Sequence, residues 1–237
     1  MTLLAAILTT NAVYLGADSS SILLDEAHQK GVRESIEKFH QVSDALMWGA
    51  QGNMATAVRF GKWLTEQSWE SKSWEQLARQ AEDELHRIDD RERELSSKSE
   101  PRLSEVIVGG NLGGRLDFVS IPPDGVASIA SDYRAAPDDD VTCFLGTGSL
   151  NVDAAICWNV AHRLSPYDSF DSTLFGRFFD AYVEYDARLG GPARLWRITV
   201  DDGIRQVWPK GSSAFGGVGH SEVGGASQSA SDESQRR

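Results

Sequence analysis

Cysteine is nearly absent from this 237-residue chain, which holds only Cys143 and Cys157. The two could pair with one another. Two thiols do not make the disulfide framework of a small secreted domain, so a reducing, cytoplasmic setting is expected. Basic charge is also scarce: 23 Lys and Arg stand against 35 Asp and Glu, a formal net charge of −12. Apart from Arg236 and Arg237 there is no basic run. Neutralising a phosphate backbone takes clustered cations, so no nucleic acid is expected as partner, and no anionic membrane surface. Long apolar runs are missing, and none approaches the roughly 20 residues that span a bilayer. The opening lacks the positive start of a secretory signal, with no Lys or Arg before Lys30, and Thr9, Thr10 and Asn11 interrupt its apolar stretch.

What remains is a globular composition, 41% apolar and 24% charged, with chain enough for a sizeable core. LLAAIL (residues 3–8) and AVYLGA (12–17), split by the polar TTN, predict a hairpin of buried strands. SIEKFHQV (35–42) and ALMWGAQG (45–52) predict a second pair, with SILLDEAHQKGVRE before it as a loop. From about Asn53, Ala57, Phe60 and Leu64 recur at helical spacing. A longer helix follows, striped by Trp74, Leu77, Ala78, Ala81, Leu85 and Ile88, its end dissolving into DDRERELSSKSEPR, a solvated helix end and a loop. Past Pro101 the period changes, and EVIVGG, RLDFVSI, VASIAS and VTCFLGTGS read as strands. GGNLGG (109–114) is a hairpin turn on this reading, since it lacks the spacing of a phosphate loop. LNVDAAICWNVAHRL and DSTLFGRFFDAYVEYDARLG read as helices, and ARLWRITV and IRQVWP as a last hairpin. Strands alternating with two helix pairs predict an α+β fold with sheets inside and helices outside. Residues 1–210 read as one domain and the Gly/Ser-rich 211–237 as a disordered tail.

The opening also carries chemistry. Thr2 is small enough to permit removal of Met1, which would leave an N-terminal threonine. Such a residue is a self-contained nucleophile: its hydroxyl attacks while its own α-amine, with a pKa of about 7.7 to 8.0, serves as base. Alone, a threonine at position 2 says little. Here GADSS places Asp18 at the tip of the second strand, Lys38 lies in the next strand, and AQG ends the following one at Gly52. Farther on come GTGS (146–149) and DARLGG (186–191).

In these motifs, their order and their intervals, the chain resembles the proteasome β-subunit family of N-terminal-nucleophile threonine hydrolases, of the proteasome-like bacterial type, over roughly residues 2–208. The resemblance implies a four-layer αββα sandwich. It makes Thr2 the nucleophile toward an amide carbonyl, with Lys38, held by Asp18, placing positive charge beside the hydroxyl. Gly52 would donate its N–H to the developing oxyanion. Thr147 and Asp186 would hydrogen-bond around the α-amine. Substrate would add as a strand between Ser20–Ser21 and residues 52–54. Ile36, His40, Ala50 and Met54 would shape a moderately apolar pocket, with Ile36, Lys38 and His40 expected on one strand face. Removal of Met1 is expected to suffice for activation. Three positions depart from the family pattern: Ser20 replaces an Arg, Thr147 a Ser, and Leu189 the Ser of D-A-Y-S-G-G.

The implied activity is a threonine-type endopeptidase within a ring of like subunits, acting on peptide or unfolded protein, with an ATP-dependent unfoldase as a partner the resemblance allows. A catalytically silent assembly subunit and a hydrolase of non-peptide amides stay open as alternatives. The five histidines show no metal-ligand spacing, and Cys143 and Cys157 lie too far apart for a zinc knuckle. No catalytic metal or other cofactor is expected.

Overall fold

The structure, a computed structural model, describes residues 4–25, 30–95, 104–122, 125–133, 141–147, 172–173, 176–177, 179–180 and 192–209, with backbone alone at 20–25, 30–35, 133 and 141–147. Two five-stranded antiparallel sheets carry the fold. The first runs in the order β10 (Val141–Thr147), β1 (Leu4–Thr9), β2 (Val13–Ala17), β11 (Arg194–Thr199), β12 (Gly203–Trp208). The second runs β5 (Phe39–Gln41), β6 (Leu46–Gln51), β7 (Glu105–Leu112), β8 (Arg115–Ile121), β9 (Ser128–Ile129). A separate two-stranded ribbon joins β3 (Ser20–Asp25) to β4 (Lys30–Ser35).

Period-2 alternation decides how the sheets meet. Leu4, Ala6 and Leu8 of β1, Val13, Leu15 and Ala17 of β2, and Trp196 and Ile198 of β11 point to one face of the first sheet. They form a single core with Phe39, Met47, Ile107 and Phe118 of the second sheet. The intervening residues of the second sheet, Trp48, Val106 and Val108, face the other way, into a second core beneath α1 (Met54–Glu66) and α2 (Trp74–Leu95). Ala5 and Ile7, on the far face of the first sheet, are also fully buried. The described residues thus give a mixed α+β fold: two sheets face to face, with a helix pair covering one of them.

Both helices begin where side chains satisfy their orphan amides. Asn53 caps α1 by accepting from Ala55 N at 2.9 Å. Ser73 and Gln76 form a reciprocal capping box before α2, with Ser73 N donating to Gln76 Oε1 and Gln76 N to Ser73 Oγ. Two glycines at φ 60° and 84°, Gly113 and Gly114, close the β7–β8 hairpin in the left-handed turn that such short connections demand.

Several local expectations are corrected. The stretch SILLDEAHQKGVRE is largely the β3–β4 ribbon, in which residues 21–25 pair antiparallel with residues 30–34, Leu23 opposite Val32. The α2 helix runs to Leu95, so residues 89–95 form the expected helix end, where Glu and Arg are good helix formers and no Gly or Pro intervenes; but Asp89 within it is buried rather than solvated. Pairs Arg87–Glu84 and Arg59–Glu92 support that last stretch. VASIAS contributes only the two residues of β9 before a 3-10 turn, Ala130–Tyr133. Of the two helices read in 150–190, only helical residues 172–173, 176–177 and 179–180 are described. The tail 211–237 lies outside the described residues. Among the described residues, no helix is long and apolar enough to cross a membrane.

Gly61 is where α1 sits down on the second sheet: it is buried, and a Cβ there would drive into the Trp48 indole. Gly61→Ala should therefore destabilise the protein by about 1–3 kcal/mol through overpacking, despite the better helix propensity of alanine. Urea unfolding followed by tryptophan fluorescence measures this, and an unchanged or raised midpoint would refute the close approach.

Candidate active site

A row of backbone pairs crosses the rim of the first sheet. Leu4 pairs with Ala17 on one side and Thr147 on the other, and Ala17 pairs in turn with Arg194. Thr147 and the end of β2 therefore flank the start of β1, two residues after Thr2. Thr2 itself and Asp186 lie outside the described residues, as does the side chain of Thr147.

Asp18 directly follows β2 at this rim, and Lys38 reaches it from the unpaired segment that enters the second sheet. Lys38 Nζ donates to Asp18 Oδ1 at 2.6 Å, with both side chains almost wholly out of water. Burial lowers the Lys38 pKa from the ordinary lysine value, and the Asp18 charge and hydrogen bond oppose that shift. The pair brings an ammonium group to the edge where β1 begins, with N–H donors beyond the one Asp18 accepts. Such a group stabilises an alkoxide or a developing negative charge.

Neighbouring contacts fix the pair in place. Ser19 Oγ donates to the Pro192 carbonyl at 2.8 Å, and the Ser19 carbonyl accepts the Ile36 N–H at 2.9 Å. Ser19 is as buried as Asp18. Arg194 meets Glu37 at 3.4 Å. A Cβ on Gly49 would stand 2.9 Å from the Lys38 carbonyl, so the bare glycine lets the lysine backbone lie against β6. Sequence reasoning missed Ser19; its only signal was its place directly after the aspartate.

The expected single strand face for Ile36, Lys38 and His40 is not what forms. Residues 36–38 pair with no strand, because here the chain crosses from the ribbon to the second sheet. Ile36 is half-buried, Lys38 and Phe39 are buried in succession, and His40 is exposed. His40 pairs across to Trp48, the rings 5.4 Å apart, on the helix-facing side of the second sheet. Loss of water around its imidazole lowers its pKa, with Glu37 opposing. Ala50, two residues from Trp48, packs on that same side, and Met54 opens the helix above it. Val58, one turn after Met54 and likewise exposed, extends the apolar face and was not singled out from the sequence. Ser20 and Ser21 open β3, their backbones paired with Ser35 and Glu34.

Gly52 joins β6 to α1 at φ 107°, a conformation that favours glycine. The residue is exposed, at the positive end of a helix whose first turn holds no acidic side chain. Just before it, Gln51 Nε2 donates to Glu105 Oε2 at 2.6 Å. Burial raises the Glu105 pKa, opposed by that hydrogen bond.

Replacing Asp18 by Asn should strand a buried ammonium and cost about 3–5 kcal/mol at neutral pH. The sign of its pH dependence follows from linkage. Lys38 in the folded chain gives up its proton below the unfolded value of 10.5, so stability rises as pH climbs from the lowered pKa towards 10.5. Without Asp18 to oppose burial, that rise should begin at a lower pH. Urea midpoints of parent and Asp18→Asn between pH 7 and 10.5 test this; parallel curves would show that the pair carries no such coupling.

No family model matches the chain, and no curated protein sequence does either. Solved structures do. One is the Anbu complex of Pseudomonas aeruginosa, described as a helical assembly, with a TM-score of 0.63 and 18% identity over 86% of this chain and 84% of that one. Another is Anbu, the ancestral beta-subunit, from Yersinia bercovieri, with a TM-score of 0.62 and 16% identity over 87% of both chains. These neighbours correct the expectation of proteasome β-subunit membership, since Anbu is a family distinct from it. Short motifs at matched intervals mark strand ends and turns, which distinct families share when they share an architecture. At 16–18% identity the likeness is one of fold, and the fold of this chain is the proteasome-like fold of Anbu.

Proposed function

We propose that this chain is an N-terminal threonine hydrolase with an Anbu-like fold, cleaving peptide bonds as part of a self-associated assembly in the cytoplasm. The observation that carries the reading is the buried 2.6 Å Lys38–Asp18 pair at the rim where β1 begins. A buried lysine is costly, and a catalytic role toward Thr2 would give that cost a purpose.

In this reading Thr2 Oγ attacks the scissile carbonyl while the freed α-amine takes the hydroxyl proton. Lys38 steadies the oxygen as it loses that proton, and Gly52 N–H donates to the carbonyl oxygen as it becomes an oxyanion. The amine then protonates the departing amide nitrogen, leaving an ester on Thr2 that water hydrolyses. Thr147 and Asp186 hold the amine. An extended substrate pairs with Ser20–Ser21 and with residues 52–54, its side chain meeting Ile36, His40, Ala50, Met54 and Val58.

A second helix pair within residues 150–190 would cover the far face of the first sheet and complete the four-layer αββα sandwich; the full burial of Ala5 and Ile7 supports it. The domain then spans residues 1–210, with 211–237 as a tail. Self-association is extended to this chain from the helical assembly of the Pseudomonas protein, with rings and helices as the forms to distinguish and an ATP-dependent unfoldase as a further partner.

Intact mass of untagged protein should show a chain starting at Thr2. A peptide vinyl sulfone, which alkylates N-terminal threonines, should then add one equivalent, and Thr2→Ala should abolish both labelling and peptide hydrolysis. Retention of Met1, or hydrolysis surviving in Thr2→Ala, would overturn the reading. Folded, assembled protein that starts at Thr2 yet resists labelling would instead mark a catalytically silent subunit.

A further inference from the structure

Asp89 lies on α2, far along the chain from every residue so far assigned to the site, and it is buried. A carboxylate in that position must be satisfied by hydrogen bonds. Its two oxygens reach separate elements. Oδ1 accepts from Thr56 Oγ1, in the first turn of α1, at 2.8 Å. Oδ2 accepts from the backbone N–H of Ser104, just before β7, at 3.3 Å. Ser104 is fully buried, and its Oγ accepts from the N–H of Asn53 at 3.3 Å. Asn53 is both the N-cap of α1 and the residue after Gly52.

These bonds converge on one turn. Gln51 is held from below by strand pairing with Glu105 and by its side-chain bond to the same residue. Asn53 is held from above by Ser104. Residues 104 and 105 thus grip both neighbours of Gly52, and Asp89 fixes residue 104 against α1. A glycine at φ 107° has many other conformations available, and this grip selects one.

We infer that Asp89 is a positioning residue: acting through Ser104 and Thr56, it sets the direction of the Gly52 N–H toward the substrate carbonyl. The inference rests on the threonine-hydrolase reading, in which that N–H serves the oxyanion. An oxyanion donor works only when it is aimed before the reaction begins, and small misplacements cost large factors in rate. Arg59 and Glu92, 3.0 Å apart, also join the two helices but do not touch the turn, so they provide the structural comparison.

The test uses the full-length assembled protein, with a peptide vinyl sulfone as probe. Asp89→Asn keeps an acceptor for Thr56 but turns a donor or a poor acceptor toward the Ser104 N–H, while Ser104→Ala removes the acceptor for Asn53. Each should slow the maximal rate of Thr2 labelling by about tenfold to a hundredfold with little change in the half-saturating probe concentration. In the Ser104→Ala background, Asp89→Asn should cost nothing further. Hydrogen exchange across residues 51–56 should quicken in both variants, and Glu92→Gln should leave labelling unchanged. Parent-like labelling in both variants, or additive losses, overturns the positioning role and leaves the hydrolase reading intact. A parent that starts at Thr2 but resists labelling overturns both, and the exchange data would then report the grip as purely structural. If Asp89→Asn fails to fold, Thr56→Val, which removes one of the carboxylate's two partners, must show the same loss of maximal rate for the inference to stand.

Discussion

Lys38 and Asp18 meet at 2.6 Å across the seam between two sheets, and neither could be buried there alone. Asp18 comes from the end of β2 in the first sheet, Lys38 from the segment entering the second. Their contact therefore requires the two sheets to stack in one register, with the start of β1 alongside. Everything packed between the sheets serves that register. Leu4, Leu15, Phe39, Met47 and Trp196 interdigitate in one core, and a slip of one residue in any strand would turn its apolar face outward. The pair does little for stability that a well-packed apolar pair could not do. Its value lies in holding a positive charge at a fixed point.

The turn at Gly52, the second centre of the proposed site, is governed by a different layer. The helices α1 and α2 pack on the far face of the second sheet through Trp48, Phe60, Leu64, Trp74 and Leu77. That packing sets where α1 begins and hence where Gly52 lies. Polar contacts then refine what the apolar core places: Asn53 caps the helix, while Ser104, Glu105 and Asp89 hold the turn. The sheet-to-sheet core thus positions the charge, and the sheet-to-helix core positions the backbone N–H proposed as the oxyanion donor. A likeness of fold to Anbu can persist at 16–18% identity because a core tolerates apolar exchanges. Apolar residues of similar size can exchange within either core so long as the strand ends still converge.

Local pattern was enough for most elements. The β1–β2 and β11–β12 hairpins, β6, α1 and β10 form where alternation, turn residues and helical spacing place them, because those signals depend on neighbours in the chain. The pairing of Asp18 with Lys38 could be inferred only through resemblance to known proteins, since 20 residues and a ribbon separate them. That same resemblance misassigned the family, because turn motifs follow from architecture.

What the sequence determined by itself was therefore the type and order of the elements and the residue chemistry at their ends: a threonine before the first strand, an aspartate after the second, a glycine before a capped helix. What tertiary structure alone decided was which of those ends meet. Residues 36–38 leave the strand because the chain must cross between sheets there, which buries Lys38 against Asp18 and turns His40 outward over Trp48. Asp89 looked like one more charge on a solvated helix end, and it became a buried anchor for Ser104 and Thr56. Helical periodicity says which face a residue occupies. It cannot say that the backbone amide of Ser104 will arrive there, because that depends on contacts between residues far apart in the chain.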